Sequence, residues 1–174
     1  MLFEFDGRRP QIAPTAYVSD TAQVIGDVTI EENSYIGHGA IVRGDYGRIT
    51  IGAGTAVEEG VIIHCPPGGL FTIGKSVTLG HGAIVHGTKI GDFSVIGMGA
   101  ILSLLSETGE WTIVGEGAVV RAHQKIDDRV VAVGNPAKVI RKVTDKDMEF
   151  WTYGKQVYVD LAAKYLDLGM KQIG

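Results

Sequence analysis

The stretch VIGDVTIEENSYIGHGAIV (24–42) decides the fold, because an aliphatic residue recurs in it at every sixth position. The repeat continues in both directions with the same spacing. Its aliphatic positions are Ile12, Val18, Val24, Ile30, Ile36 and Val42, then Ile51, Val57 and Ile63, then Ile73, Leu79 and Val85, then Ile90, Ile96 and Leu102, and finally Val114, Val120 and Ile126. Neither a helix nor an ordinary strand has this period, whereas a hexapeptide β-solenoid does.

Each six-residue unit of such a solenoid forms one short strand and one corner, and three units close a triangular coil. The coils stack at the strand spacing of about 4.8 Å, so the repeated aliphatic side chains form a continuous core. We therefore predict an all-β solenoid, a parallel β-helix with roughly seven coils between Ile12 and Ile140. The segment SLLSETGEWTIV (103–114) interrupts the repeat, and we expect a variation of the coil there.

The C-terminal part of the chain changes to a helical pattern. Apolar residues recur there at helical spacing, namely Met148, Trp151, Tyr158, Leu161, Ala162, Tyr165 and Leu168. Thr144 can cap the helix, and Asp147 stands at the third position of a capping box. We therefore expect a helix over 145–168 packed along the prism. The chain then divides into a β-helix domain (1–143) and a C-terminal helix packed on the same domain (144–174).

Composition fits one soluble domain of 174 residues, with 45% hydrophobic and 21% charged residues. The net charge of −4 gives no support for nucleic acid as a partner. Cys65 is the single cysteine, which excludes an internal disulfide and fits a reducing cytoplasm. The start of the chain lacks the pattern of a signal peptide, and no apolar stretch approaches the roughly 20 residues of a membrane span.

The insertions between repeats fix where two histidines point. Residues 65–71 (CPPGGLF) contain four residues beyond a coil of about 18, so His64 and His86 stack on the same face of adjacent coils. Both directly follow a core residue and therefore point outward. An insertion of three residues in the preceding coil places Arg43 in the same column, one coil before His64.

A second column lies two residues after the core positions of the preceding face. It contains His38, Glu59 and His81, with Glu58 beside it, and a corner of the prism separates it from the first column. In a trimer of parallel prisms, each column can face the other column of a neighbouring subunit. We therefore predict a shared metal site made by His64, His81 and His86, since three imidazoles leave an open position on the ion.

The alternative is that these are ordinary surface histidines on a solvated turn. The vertical register of His64 and His86 favours the metal site, because folding does not require two stacked histidines. We interpret His38 and His123 as surface or interface residues. Cys65 follows His64 directly, and alternation of side chains points it into the core rather than toward a metal.

Several stretches together resemble the γ-class carbonic anhydrase family. They are IVRGDYGRITIG (41–52), VIIHC (61–65), LGHGAIVHG (79–87), IGMGAIL (96–102) and GNPAK (134–138), and the histidines follow an H-x16-H-x4-H spacing. The resemblance implies that the β-helix is left-handed and that the protein is a homotrimer. It also implies Zn²⁺, or another divalent ion such as Fe²⁺ or Co²⁺, at each interface, with His64 and His86 from one subunit and His81 from the next.

The resemblance also implies roles for neighbouring residues. Arg43 and Asp45 resemble the ion pair that the family places near the metal, and Tyr158 resembles a tyrosine that its C-terminal helix brings to the site. The activity implied is hydration of carbon dioxide to bicarbonate by a metal-bound hydroxide. Glu58 or Glu59 would accept the proton that this reaction releases.

This chain departs from the family at the positions before the first histidine. The family reads N-x-Q-D there, whereas this chain has Ala56, Glu58 and Glu59 at the named positions. An ionised Glu58 only accepts hydrogen bonds, and its charge would raise the pKa of metal-bound water. Tyr46 stands where the best-known members have an acidic proton-shuttle loop. We therefore expect weak anhydrase activity.

Other functions remain open from the residues alone. A hexapeptide-repeat acyltransferase would use acetyl-CoA with one histidine as the general base, and it would need no metal. A metal-dependent ester or thioester hydrolase would use Glu58 as the base. A non-catalytic trimeric or metal-binding protein is a further option. The GNPAK motif and the solenoid do not discriminate, because hexapeptide acyltransferases share both.

Overall fold

The computed structural model describes residues 1–173 and shows a prism of short, mostly parallel strands with one helix, α1 (Asp145–Leu168). The strands are β1 (Leu2–Phe3), β2 (Gln11–Ile12), β3 (Tyr17–Val18), β4 (Gln23–Ile30), β5 (Tyr35–Ile36), β6 (Ile41–Ile51), β7 (Ala56–Val57), β8 (Ile62–His64), β9 (Leu70–Ile73), β10 (Thr78–Leu79), β11 (Ile84–Val85), β12 (Lys89–Ile90), β13 (Val95–Ile96), β14 (Ile101–Leu102), β15 (Glu107–Thr108), β16 (Ile113–Val114), β17 (Val119–Val120), β18 (Lys125–Ile126), β19 (Val130–Val133) and β20 (Lys138–Lys142). The predicted fold is confirmed: a left-handed β-helix of about 7 coils with a C-terminal helix.

The prism has three faces. The first face contains the start of β6 followed by β8, β11, β14 and β17, and the second contains the end of β6 followed by β9, β12, β15 and β18. The third face contains β3, β5, β7, β10, β13, β16 and β19. Because β4 and β6 continue around a corner, the first two faces form one 12-stranded sheet, and the third belongs to a separate 8-stranded sheet.

The repeated aliphatic residues form the core, as predicted. On the third face Val57 pairs with Leu79, and on the first face Ile63 pairs with Val85, so equivalent positions stack from coil to coil. Nearly all of these side chains are fully buried. Each contributes roughly 1.5–3 kcal/mol through burial of apolar surface, which explains why the spacing of six is so strictly kept.

The expected coil variation at 103–114 is wrong. The spacing from Leu102 to Val114 is twelve residues, and Thr108 occupies the intermediate core position, paired with Ile90 and Ile126. It is 1% exposed, and its hydroxyl has no hydrogen-bond partner. The coil is therefore regular. The repeat was not recognised in this segment because its core position is occupied by a polar residue.

The solenoid also ends earlier than expected. The chain reverses after β19, and β20 runs antiparallel to β19 instead of adding another parallel rung. All residues of β20, including Ile140, are exposed. Ile140 is therefore not a core residue, and the last core position on the third face is Ala132.

The helix begins and ends where the sequence predicted. Thr144 caps it: its hydroxyl accepts from the Asp147 backbone N–H, and the Asp147 carboxylate accepts from the Thr144 N–H at 2.8 Å. The helix packs against β3, β5 and β7 of the third face. The division into a β-helix domain (1–143) and a helical segment (144–174) stays a prediction, and Gly174 lies outside the described residues. No helix within 1–173 is both long and apolar enough to cross a membrane.

Candidate functional site

The first column is formed as the insertions predicted. Arg43 and His64 are partners in the register of β6 and β8, and His64 and His86 follow paired core residues of β8 and β11. The two imidazole rings stack, with centroids 4.8 Å apart and planes inclined by 26°. The solenoid therefore holds two histidines side by side on its first face.

The Nε2 atoms of both rings are buried and have no hydrogen-bond partner. Asp45 Oδ1 lies 3.5 Å from the His64 Nε2, which is too long for a good hydrogen bond. Buried polar atoms are nearly always satisfied, so two adjacent exceptions require an explanation. Burial, the charge of Arg43 and the neighbouring ring of His86 lower the pKa of His64, which favours the neutral, ligand-competent imidazole.

An ion pair lies beside these two rings. Arg43 Nη1 donates to Asp45 Oδ2 at 2.6 Å, and the Tyr46 backbone N–H donates to Asp45 Oδ1 at 3.0 Å. Although burial opposes it, the Arg43 guanidinium holds the pKa of Asp45 below its ordinary value. Asp45 is therefore a fixed negative charge next to His64.

The second column is also formed as predicted. The backbone N–H of Gly60 donates to the His38 carbonyl, and that of Gly82 donates to the Glu59 carbonyl, so the positions stack coil on coil. The His81 ring lies between two carboxylates. Its Nδ1 is 2.8 Å from Glu59 Oε2 and its Nε2 is 3.2 Å from Glu58 Oε2, while 47% of the side chain remains exposed.

Glu59 is itself held by a buried tyrosine. The Tyr35 hydroxyl donates to Glu59 Oε1 at 2.7 Å, and the Tyr35 ring is buried beneath the helix. Although burial opposes it, this hydrogen bond keeps the pKa of Glu59 below its ordinary value. The chain of contacts from Tyr35 through Glu59 to His81 therefore holds the His81 ring in one orientation, with its Nδ1 against Glu59.

Glu58 is more deeply buried than Glu59, with only 8% of its side chain exposed. Its Oε2 accepts from the His81 backbone N–H at 3.1 Å. Burial raises the pKa of Glu58, while His81 and the hydroxyl of Tyr158 act in the opposite direction. The helix thus brings Tyr158 to Glu58.

His38, which the sequence predicted to be a surface or interface residue, is partly buried where the solenoid meets α1. Its Nδ1 lies 2.6 Å from Ser19 Oγ and its Nε2 lies 3.3 Å from the Tyr165 hydroxyl, so it packs between the solenoid and α1. His123 is exposed, as expected.

Sequence reasoning missed Lys155. It is 5% exposed, and its Nζ donates to Thr78 Oγ1 at 3.1 Å and to the Ser94 carbonyl at 3.2 Å. Burial lowers its pKa to about 7, and the charge of Glu58 partly opposes this. The helical spacing of 151, 155, 158 and 162 was the available signal, because it places a lysine on the packed side of the helix.

An apolar groove opens beside Glu58 and His81. It has a volume of about 340 Å³ and lies between the third face and α1, with Val95, Ile113 and Trp151 among its lining residues. Nothing in the sequence analysis indicated it, because it depends on where the helix rests on the prism.

One chain therefore forms two separate clusters of side chains, which we call half-sites because the sequence predicts that they meet between copies. His64, His86, Arg43 and Asp45 lie together, and His81, Glu58, Glu59 and Tyr158 lie together. Within residues 1–173 no group of three or more His, Cys, Asp or Glu side chains converges well enough to hold a metal ion. The two unpartnered nitrogens and the oriented third imidazole fit a divalent cation that draws ligands from two copies of the chain.

Comparison with known proteins places this architecture among hexapeptide-repeat proteins. A family model described as the hexapeptide repeat of succinyl-transferase matches residues 71–103. The carnitine operon protein CaiE of Escherichia coli is 34% identical over 162 residues, covering 93% of this chain and 83% of that protein. CaiE of Salmonella agona is 35% identical, with 93% and 82% covered.

Two solved structures have the same fold over nearly their whole length. A putative acetyltransferase from Bacillus cereus has a TM-score of 0.93 and 32% identity, covering 96% of this chain and 97% of its own. A hexapeptide transferase family protein from Anaplasma phagocytophilum has a TM-score of 0.89 and 28% identity, covering 94% and 97%.

Proposed function

Because the chain belongs to the hexapeptide-repeat family that includes the carnitine operon protein CaiE, we propose that it transfers acyl groups from acyl thioesters such as acetyl-CoA. Water is the acyl acceptor, which makes the protein a metal-dependent thioester hydrolase acting at a site shared by two copies in a trimer. The descriptions of similar solved structures as a transferase and a putative acetyltransferase support acyl chemistry.

The observation that carries the proposal is the position of Glu58. Its buried carboxylate lies against His81 at one end of the apolar groove. A carboxylate at this position is a suitable general base for an attacking water molecule. Carbon dioxide would not need a groove of about 340 Å³, whereas an acyl thioester has an organic chain to accommodate.

His64 and His86 of one copy, with His81 of a second copy, would hold the divalent cation. When bound there, a cation such as Zn²⁺ stabilises negative charge on a carbonyl oxygen and lowers the pKa of nearby water. Glu59 and Tyr35 keep the His81 ring in one orientation, and Asp45 holds negative charge beside His64.

The chain's own residues then account for proton movement. Glu58 accepts a proton from water as the water oxygen bonds to the thioester carbonyl carbon. The carbon–sulfur bond breaks, and Glu58 returns the proton to the departing sulfur, which gives a carboxylic acid and a free thiol. Glu58 is better suited than Glu59, because Glu59 already accepts from Tyr35 and contacts His81 Nδ1.

Hydration of carbon dioxide is the second candidate. The stacked His64 and His86 with the Arg43–Asp45 ion pair favour it, since they match the resemblance to γ-class carbonic anhydrases. The negative charge of Glu58 disfavours it, because that charge opposes ionisation of a nearby water molecule.

A thiol-release assay tests the proposal. Protein loaded with Zn²⁺, Fe²⁺ or Co²⁺ under anaerobic conditions should release free CoA from acyl-CoA, and the His81→Ala variant should not. The chain's only thiol, Cys65, is buried and should give little background. Full acyl transfer by metal-free protein would support a metal-independent acyltransferase instead. Carbon dioxide hydration without thiol release would support the second candidate.

A further inference from the structure

A column of glycines follows the core positions of the third face. From Ile36 onward, the outward residue directly after each core residue is, coil by coil, Gly37, Glu58, Gly80, Gly97, Gly115 and Val133. Glu58 is therefore followed by three coils in which this outward position has no side chain. This is the floor of the groove described above.

The glycines cannot readily be replaced, because adjacent coils approach closely here. A Cβ on Gly80 would lie 2.8 Å from the Met98 backbone nitrogen, and one on Gly97 would lie 2.6 Å from the Glu116 nitrogen. The close packing of the coils thus leaves a smooth floor. Side chains of α1, including Trp151, form the roof, and an open channel remains between them.

The ionisable side chains that line the groove lie toward its two ends. Glu58 and His81 lie at one end and Glu116 lies at the other, while Val95, Ile113 and Trp151 are among the residues between them. Thr78 also contributes to the lining, but its hydroxyl already accepts from Lys155. The volume of about 340 Å³ is at the lower end of the range for small-molecule sites, roughly 300–1,000 Å³.

We propose that this groove binds the apolar acyl chain of the substrate, so that the enzyme prefers medium-length acyl thioesters to acetyl thioesters. The inference rests on the proposed function for the reacting end. The acyl chain continues directly from the carbonyl carbon, and a groove that starts at the proposed base places that chain along the glycine floor. Each methylene group buried there should improve binding about fourfold until the groove is full.

A chain-length series tests the specificity. With acyl-CoA substrates of two, six and ten carbons, kcat/KM should rise with length in the wild-type protein. Ile113→Trp should fill the groove and lower the ten-carbon value at least tenfold more than the two-carbon value. Thr72→Trp is the matched control, because Thr72 also precedes a core residue but lies on the second face. Equal kcat/KM for all lengths, or equal losses in Ile113→Trp, would overturn the proposal.

A binding measurement separates this proposal from the proposed function. The chain has two tryptophans: Trp151 lines the groove, whereas Trp111 stacks on Phe93 with centroids 5.1 Å apart. A bromine-labelled ten-carbon amide should quench fluorescence saturably in Trp111→Phe, which retains Trp151. It should not quench Trp151→Phe, which retains Trp111.

The two failures look different. Saturable quenching of Trp151 without any thioester turnover would contradict the proposed reaction but still support the groove as a binding site for an alkyl chain. Thioester turnover without quenching and without chain-length preference would contradict binding of the acyl chain in the groove but still support the proposed reaction.

Discussion

The two half-sites of this chain differ in the surroundings of their histidine ring nitrogens. On the first face, the Nε2 atoms of His64 and His86 are buried and have no hydrogen-bond partner. At the corner beyond the third face, both ring nitrogens of His81 lie close to carboxylates, 2.8 Å from Glu59 and 3.2 Å from Glu58. One half-site has ring nitrogens without a hydrogen-bond partner, and the other has an excess of negative charge.

This difference is the one expected if the two half-sites meet between copies, as we propose. A divalent cation would satisfy the two unpartnered nitrogens, and it would also compensate the carboxylates around His81. Neither arrangement belongs to the stacked aliphatic core that defines the solenoid. The contrast therefore supports a site completed by a second copy, and variants on either side can break it.

The largest effect should come from the unpaired side. Replacing both His64 and His86 with Ala removes two proposed ligands, so cation affinity should fall by well over 100-fold and thioester turnover should be lost. Metal content after gel filtration measures this directly. His123→Ala is the control, because His123 is exposed and lies in neither column. Undiminished metal binding by the double variant would contradict the cation site.

The next largest effect should come from Glu58. Glu58→Gln keeps the shape but removes the base, so kcat for thioester hydrolysis should fall about 100- to 10,000-fold while metal content is unchanged. The same substitution introduces the glutamine that γ-class carbonic anhydrases have at this position. If carbon dioxide hydration is the real activity, Glu58→Gln should raise it, and an unchanged thioesterase rate would exclude Glu58 as the base.

A smaller effect should follow from loosening His81. Tyr35→Phe removes the hydroxyl that holds Glu59, so cation affinity should fall about tenfold, as measured by competition with a chelator of known affinity. Tyr17→Phe is the matched control: its ring stacks on Tyr35 with centroids 5.5 Å apart, but its hydroxyl is not the one that donates to Glu59. Equal cation affinity in the two variants would exclude a role for the Tyr35 hydroxyl in orienting His81.

The smallest effect concerns stability and pH. Burial lowers the pKa of Lys155 to about 7, so above pH 7 the unfolded chain binds more protons at this lysine than the folded chain. Because of this lysine, the free energy of unfolding should be about 1 kcal/mol higher at pH 8 than at pH 7. Urea unfolding should show that rise in the wild-type protein and not in Lys155→Met. Parallel pH profiles for the two proteins would contradict it.

Much of the architecture could be predicted because a solenoid core follows one rule. The spacing of six located the faces. The insertion before Ile51 gave the register of His64 over Arg43, and the insertion at 65–71 gave the register of His86 over His64. The core position of Thr108 was not predicted, because the repeat was identified from aliphatic residues and threonine is polar. The end of the coils was missed for the converse reason, since Ile140 is apolar but exposed.

The candidate site was less predictable than the fold. The spacing of residues between coils predicts which histidines stack in a column. The contact of Tyr35 with Glu59 and the burial of Lys155 depend instead on how α1 packs on the third face. The groove has the same origin. Helical spacing identifies which side of α1 packs, but it does not fix the position of the helix along the prism.

Mixing two inactive variants tests the shared site most directly. His81→Ala and His86→Ala each remove a ligand from a different half-site, so trimers of either variant alone should lack complete sites. When the two are co-expressed at equal levels, about a quarter of the interfaces should pair an intact His86 with an intact His81, and bound metal and thioester turnover should recover to that level. A mixture no more active and no richer in metal than either variant alone would contradict a site built from two copies.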